Sequence, residues 1–146
     1  MEKIQYDSGM KEYRINGKGV LRFNPADPNL YARFMEAVEK IDTVEKELAA
    51  QAQAVQEDDQ GQAALALLCK ADRKMKELLS WVFGEGNDFE QILQGINLLA
   101  VAGNGQRVVN NLFQALQPVL VEGAQSCTRQ AVQSATRKAQ ARRAAQ

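Results

Sequence analysis

Apolar and polar positions alternate over the first 24 residues in three short segments, residues 2–7, 11–16 and 19–24. Such alternation is typical of strands with one buried face. Asn16-Gly17, between the second and third segments, favours a hairpin turn because both residues tolerate positive φ. The pattern therefore predicts a small N-terminal antiparallel β-meander of three strands, spanning residues 2–24. Its buried face would carry Ile4, Tyr6, Tyr13, Ile15, Leu21 and Phe23.

After the corner at Pro25 the apolar spacing lengthens from two residues to three or four, which is the period of a helix. Asp27 is suited to cap a helix N-terminus, and Pro28 suits the first helical position because an N–H there has no partner. A long helix is predicted from Pro28 to about Gln56. Its second half is rich in Ala and Gln, so it would project from the core or pack on another helix or subunit. The apolar stripe is formed by Leu30, Phe34, Val38 or Ala37, Ile41, Val44 and Leu48.

A second helix is predicted over residues 62–83, after a polar corner at residues 57–61. Two helices joined by a short polar turn form an antiparallel hairpin. The acidic residues at 57–59 lack the ligand spacing of a calcium loop, so a solvated corner is the better interpretation. The apolar face of this helix would carry Leu65, Leu68, Cys69, Met75, Leu79 and Val82.

A short third helix is predicted over residues 88–94, after the break at Gly84-Glu85-Gly86. Asn87 and Glu90 match a capping box in which Asn replaces Ser or Thr. Gly95 is suited to end this helix, because glycine adopts the left-handed conformation found just past helix C-termini.

The last helix is predicted to begin near Gln106, after a second break at residues 103–105. Its apolar side extends to Val121, and Pro118 introduces a potential kink. Beyond Gly123 the apolar stripe almost disappears, which predicts a frayed helix or a disordered tail. The chain is thus expected to be mainly α (α+β), with the β-meander, a long helical hairpin, a short helix and a C-terminal helix in one domain over residues 1–123. Residues 124–146 would form a basic tail, helical or disordered.

The composition argues against most enzyme mechanisms. The chain contains no histidine, the commonest general base and metal ligand, and its two cysteines cannot form a Cys-only zinc site. We therefore expect no catalytic residue, no metal site and no cofactor. Cys69 and Cys127 are far apart in sequence, and buried free thiols are favoured over a disulfide.

Charge is balanced in total but not along the chain. From Gln106 onward, Glu122 is the only acidic residue beside six basic residues. Such a tail is either a solvated end, which is the favoured interpretation, or a binding site for an acidic protein or nucleic acid. Nucleic acid is the less favoured partner, since no aromatic residues are interleaved for base stacking. The candidate partner-binding residues of the tail are Arg137, Lys138, Arg142 and Arg143.

Four apolar residues are further candidates for partner binding. Trp81 and Phe83 lie near the end of the second helix, and Phe113 and Leu116 lie on the last helix. Tryptophan is a frequent anchor of protein interfaces, but core packing is the favoured role for the Trp81 and Phe83 pair. The chain has no apolar run of about 20 residues and no apolar signal core at its N-terminus, which predicts a cytoplasmic protein without membrane contact.

Two segments resemble a known family. They are GKGVLRFNPADPNLYARFMEAVEKI at residues 17–41 and VFGEGNDFEQILQG at residues 82–95, followed by a closing helix and a basic tail. This arrangement is similar to that of the tail-assembly chaperones of long-tailed bacteriophages and prophages of Gram-positive bacteria. The resemblance extends from about Gly17 to about Val121, and its motifs are structural rather than catalytic.

The resemblance implies a non-enzymatic role in the host cytoplasm. Such chaperones bind the tape-measure protein, keep its aggregation-prone helical surface soluble and help to recruit the tail-tube protein. Many form homo-oligomers, and they are not expected in the finished particle. Two other functions stay open at this point: a structural or scaffolding subunit of the phage particle, and a nucleic-acid accessory protein that uses the basic tail.

Overall fold

The computed structural model describes residues 1–54 and 61–145. It confirms a mainly α fold with a small N-terminal β-hairpin. The polar corner at residues 57–60 lies outside the described residues. In chain order the elements are β1 (Lys11–Ile15), β2 (Gly19–Phe23), α1 (Pro28–Ala54), α2 (Gln62–Phe83), α3 (Phe89–Ile92) and α4 (Val108–Ala144).

The sheet has two antiparallel strands among the described residues, with Tyr13 opposite Leu21 and Glu12 opposite Arg22. Leu21 and Phe23 are buried, whereas Tyr13 and Ile15 are half-buried against the core. The hairpin turn uses positive φ at Asn16 and Gly17, as the Asn-Gly signal predicts.

The predicted first strand, residues 2–7, is wrong. This segment forms no regular secondary structure, and Ile4 and Tyr6 are 94% and 83% exposed instead of buried. The cause is local, because Gly9 turns the chain with a φ of 74° and Asn24 Nδ2 donates to the Ser8 carbonyl oxygen. These contacts lead the segment past the end of β2 rather than back along β1.

The first helix begins as its capping residues predict. The Asp27 carboxylate accepts a hydrogen bond from the Asn29 N–H at 2.9 Å, and Pro28 is the first helical residue. Of the two alternatives for the stripe, Ala37 is buried and Val38 is exposed. The other buried residues of α1 are Leu30, Ile41 and Leu48.

The second helix packs along α1 as the other arm of the helical hairpin, and its core residues include Met75, Leu79 and Val82. At its start, Leu65 and Cys69 are exposed, so their predicted burial is wrong. The Ala- and Gln-rich end of α1 that faces this part of α2 offers little apolar surface to cover them. Both Cys69 and Cys127 are free thiols, and Cys127 is half-buried.

The N-cap of α3 is Asp88, whose side chain accepts from the Glu90 N–H at 2.9 Å. The predicted capping box between Asn87 and Glu90 is therefore wrong. The Asn87 side chain instead turns toward β2, and the Glu90 carboxylate bonds Lys76. Gly95 adopts positive φ after α3, as expected for the end of a helix.

The last helix is continuous for 37 residues and includes Pro118 without interruption. It crosses the corner before α1 at Gly123, where an added Cβ would collide with the Pro25 carbonyl oxygen. Beyond this crossing the tail is helical to Ala144, and its side chains are almost all exposed. Among the described residues, no helix has the length and apolar character needed to cross a membrane.

Candidate protein-binding surfaces

The end of α4 presents a long, exposed helical surface. We call residues 124–144 the α4 extension; at 1.5 Å per residue it is about 30 Å long. Only Ala124 and Cys127 are even partly buried in it. All four basic candidates of the tail are exposed on it, within two turns of one another: Arg137, Lys138, Arg142 and Arg143.

Trp81 lies on a different surface, at the far end of α2. Its side chain is 41% exposed, and Lys40 Nζ lies 5.3 Å from the centre of its ring, a cation–π contact with α1. The indole borders an open cleft of about 410 Å³. The walls of this cleft are mainly charged and include Arg73, Glu77, Glu85 and Asp88. The core role favoured for Trp81 is therefore wrong, because the charged cleft leaves its ring accessible to a partner.

The other apolar candidates belong to the core. Phe83 is 4% exposed, and its ring lies 4.9 Å from that of Phe23. Leu116 is 5% exposed, and half-buried Phe113 packs edge-on against Phe34 with ring centres 5.7 Å apart. Phe83 and Leu116 are thus closed to a partner in this structure, and Phe113 presents only part of its ring.

An apolar groove lies between β1 and α4. It has a volume of about 460 Å³ and is open along one side. Half-buried Tyr13 and Ile15 form one wall, and the other wall is formed by Leu112, Ala115 and Val119 of α4. Phe23 and Leu93 from the core also line it. The sequence did not identify this groove, because it depends on where α4 passes the hairpin.

A partly buried ionic cluster lies along the Trp81 cleft, which Lys76 and Glu90 also line. Lys76 Nζ lies 2.9 Å from both Asp72 Oδ2 and Glu90 Oε2, and the Lys76 side chain is 6% exposed. Asp72 Oδ1 also accepts from the Leu98 N–H at 2.7 Å. The Lys76 ammonium joins α2 to Glu90 of α3, and the Asp72 carboxylate joins α2 to Leu98 in the segment before α4. Among the described residues, no group of His, Cys, Asp and Glu side chains is arranged to hold a metal ion.

Tyr31 ties the corner before α1 to α4. Its hydroxyl lies between the Pro25 carbonyl oxygen, at 2.8 Å, and the Leu120 carbonyl oxygen. Burial raises the pKa of Tyr31, while a backbone hydrogen bond with Ala124 opposes that rise. Burial also raises the pKa of Tyr13, and the nearby charge of Glu122 acts in the same direction. Both phenols therefore keep their proton to a higher pH in the folded protein than a free tyrosine does.

No protein-family model, curated protein or solved structure matches this chain. The surfaces described above are therefore the basis for inferring what it binds. Among the sequence candidates, the structure leaves two separate accessible sets, Trp81 with its charged cleft and the basic residues of the α4 extension.

Proposed function

We propose that this protein is a tail-assembly chaperone of a long-tailed phage or prophage, which binds the tape-measure protein without performing catalysis. The observation that carries this proposal is the α4 extension, a helix of about 30 Å with almost no contact to the rest of the described chain. The motifs at residues 17–41 and 82–95 point to the same family.

The extension lacks the packing that supplies most helical stability in proteins. A partner helix would supply that packing. Ala124, Ala131, Ala135 and Ala139 recur seven and four residues apart and so share one face of the extension. Small side chains on one face let another helix approach closely. A long helical client such as a tape-measure protein fits this face.

The charge of the extension favours an acidic client surface. Its charged residues are all basic: Lys138 and Arg142 continue the side of the helix that carries the alanines, whereas Arg129 and Arg137 lie on the opposite side. Opposite charges on the client would speed the encounter and set the register, with an effect that weakens as salt is added.

Co-expression with the tape-measure protein from the same phage or prophage tests this proposal. We expect the full chain to keep the client in the soluble fraction and to sediment with it as one complex. A chain that ends at Gly123 should leave most of the client insoluble. If the client is equally insoluble with both chains, or equally soluble with both, the proposed role of the extension is wrong.

Two substituted chains separate packing from charge. Replacing Ala131 and Ala135 by Glu blocks the small face and should abolish co-sedimentation at every salt concentration. Replacing Gln133 and Gln140 by Glu adds the same two charges off that face. This matched control should retain the complex at moderate salt.

Nucleic-acid binding is the second candidate, and it rests on the five basic residues of the extension. Binding to phosphates would weaken steeply with salt, with a slope of roughly −0.9 per phosphate contact in a double-logarithmic plot for duplex DNA. Fluorescence anisotropy with a labelled 20-base-pair duplex measures this slope. Affinity that is lost on truncation at Gly123 would favour this candidate over the chaperone.

A further inference from the structure

The outer edge of β1 is open. The Arg22 backbone N–H donates to Asn87 Oδ1, and the Arg22 carbonyl oxygen accepts from Asn87 Nδ2. Both backbone groups therefore point away from β1. Because backbone groups alternate in direction along an antiparallel pair, Glu12 and Arg14 turn theirs away from β2. In the described part of the chain nothing hydrogen-bonds the backbone groups of these two residues. One more strand can therefore add to β1.

The apolar groove follows this open edge. Tyr13 and Ile15 line the groove from β1, and Arg14, itself exposed, borders it; Glu12 is exposed and outside the groove. A strand added along β1 would place every second side chain in the groove and the intervening ones in solvent. The groove thus selects a segment with alternating apolar and polar residues.

The N-terminal arm, defined here as residues 1–7, has that pattern. Ile4 and Tyr6 are two residues apart and almost fully exposed, whereas Lys3, Gln5 and Asp7 are polar. In an extended conformation Ile4 and Tyr6 would share one face. Apolar side chains that are exposed side by side can form a binding surface, and Ile4 and Tyr6 would do so on an extended arm.

The arm is directed away from the β1 edge of its own chain. Asp7 Oδ1 accepts from the Gly9 N–H at 2.9 Å, and the Ser8 carbonyl oxygen accepts from Asn24 Nδ2 at 3.0 Å. Because Asn24 directly follows β2, these bonds hold the start of the chain on the β2 side of the hairpin. A Cβ at Gly9 would lie only 2.7 Å from Asn24 Nδ2, so the turn also requires glycine.

We infer that the arm of one copy adds to β1 of a second copy as the third strand of its sheet, with Ile4 and Tyr6 in the groove. Backbone hydrogen bonds to Glu12 and Arg14 provide the pairing, and the alternation of the arm sets which face is buried. This assembly does not depend on the chaperone proposal, because it uses neither the α4 extension nor a client.

Disulfide trapping between two differently tagged full-length chains tests the inference. Both chains carry Cys69→Ser and Cys127→Ser; one adds Gln5→Cys in the arm, and the other adds Glu12→Cys or Arg14→Cys on β1. After mild oxidation of the mixture, we expect at least one of the two edge positions to give a mixed dimer. A partner with Lys74→Cys, an exposed position on α2, should give at least tenfold less. Equal trapping at Lys74, or no mixed dimer with either edge position, overturns the inference.

The same experiment distinguishes pairing within one chain. A chain that carries both Gln5→Cys and Arg14→Cys is oxidised at low concentration, and its mass is measured. If disulfides form only within single chains and no mixed dimers appear, the arm pairs with β1 of its own chain. The inferred pairing between two copies would then be wrong.

The arm's apolar residues provide an independent readout. Replacing Ile4 and Tyr6 by Asp should shift the sedimenting species to monomer, while circular dichroism remains unchanged because neither side chain is in the core. The control is Met35→Asp, which changes an exposed apolar residue of α1. We expect it to retain the assembly. A wild-type chain that is monomeric at 100 μM, or an assembly unaffected by the two Asp substitutions, contradicts the inference.

Discussion

The side chain of Asn87 pairs with Arg22 as a neighbouring strand would. Asn87 Oδ1 accepts the Arg22 N–H at 2.9 Å, and Asn87 Nδ2 donates to the Arg22 carbonyl oxygen at 2.8 Å. The same Nδ2 donates to the Phe83 carbonyl oxygen at 2.9 Å, at the end of α2. One buried amide thus closes the inner edge of the hairpin and fixes it to the helical part of the molecule.

Replacing Asn87 by Asp should be strongly destabilising. An Asp oxygen can still accept from Arg22, but it has no N–H for the carbonyl oxygens of Arg22 and Phe83. Leaving the buried Phe83 carbonyl oxygen and the partly buried Arg22 carbonyl oxygen unpaired beside a carboxylate should lower the free energy of unfolding by about 2–4 kcal/mol. Urea denaturation followed by Trp81 fluorescence measures the change. Asn110→Asp, at an exposed position of α4, is the control and should stay within about 0.5 kcal/mol of the wild type.

Replacing Gly123 by Ala should destabilise the protein even though alanine favours helices. The new Cβ would collide with the Pro25 carbonyl oxygen and lie 2.9 Å from the Tyr31 hydroxyl. We expect a loss of about 1–3 kcal/mol, as is usual for overpacking. Gly86→Ala is the matched control, because nothing lies within 4 Å of the position that its methyl group would occupy. Equal thermal stability of the two variants would show that α4 does not pass so close to the corner.

Replacing Lys76 by Met should lower the free energy of unfolding, because the buried Asp72 carboxylate would lose its cation. The substitution removes the cation that both carboxylates share, and Asp72 is itself buried. Breaking a buried ion pair at one partner costs about 3–5 kcal/mol. Adding Asp72→Asn should recover part of this loss, because the amide oxygen can still accept from Leu98. A double-mutant cycle with exposed Lys74→Met as the control checks this, and additive effects of the two substitutions would contradict it.

Stability should fall as the pH rises above about 10, the ordinary pKa of tyrosine. The pKa of Tyr31 is raised in the folded protein, so above that pH the unfolded chain loses the proton more readily than the folded one. Tyr31→Phe should weaken the alkaline decline, although it also removes a hydrogen bond at neutral pH. Chemical denaturation at pH 8, 10 and 11 measures the slope. Tyr6→Phe changes a residue that is exposed in the single chain, and it should keep the wild-type slope at concentrations where the chain is monomeric.

Local signals were sufficient to predict the helical hairpin. Asp27 and Pro28 define the start of α1, and apolar spacing defines the paired faces of α1 and α2, all within a few residues in sequence. The end of α4 follows helix propensity alone, since Ala, Gln and Arg favour helix even where no apolar stripe exists. The sequence could therefore not decide between helix and disorder there.

Long-range contacts were not predictable in the same way. Asn87 reads locally as a helix cap, but its strand-like partner Arg22 is 65 residues away. The segment containing Ile4 and Tyr6 alternates as a strand should, but alternation does not reveal whether a neighbouring edge lies within reach. Trp81 and Phe83 are two residues apart and both apolar, and the rings of Phe23 and Phe89, distant in sequence or in a later helix, cover Phe83 but not Trp81.

Because α4 is one continuous helix, its packed first half and its exposed end can unfold separately. Its first half is locked into the body, whereas its last 20 or so residues can fray turn by turn without disturbing any core contact. Amide exchange should therefore be fast after Gly123 and slow before it. A ligand that binds only the end of α4 after Gly123 would slow amide exchange there and leave the melting temperature of the rest of the protein unchanged. Ligand binding and global stability can therefore vary independently.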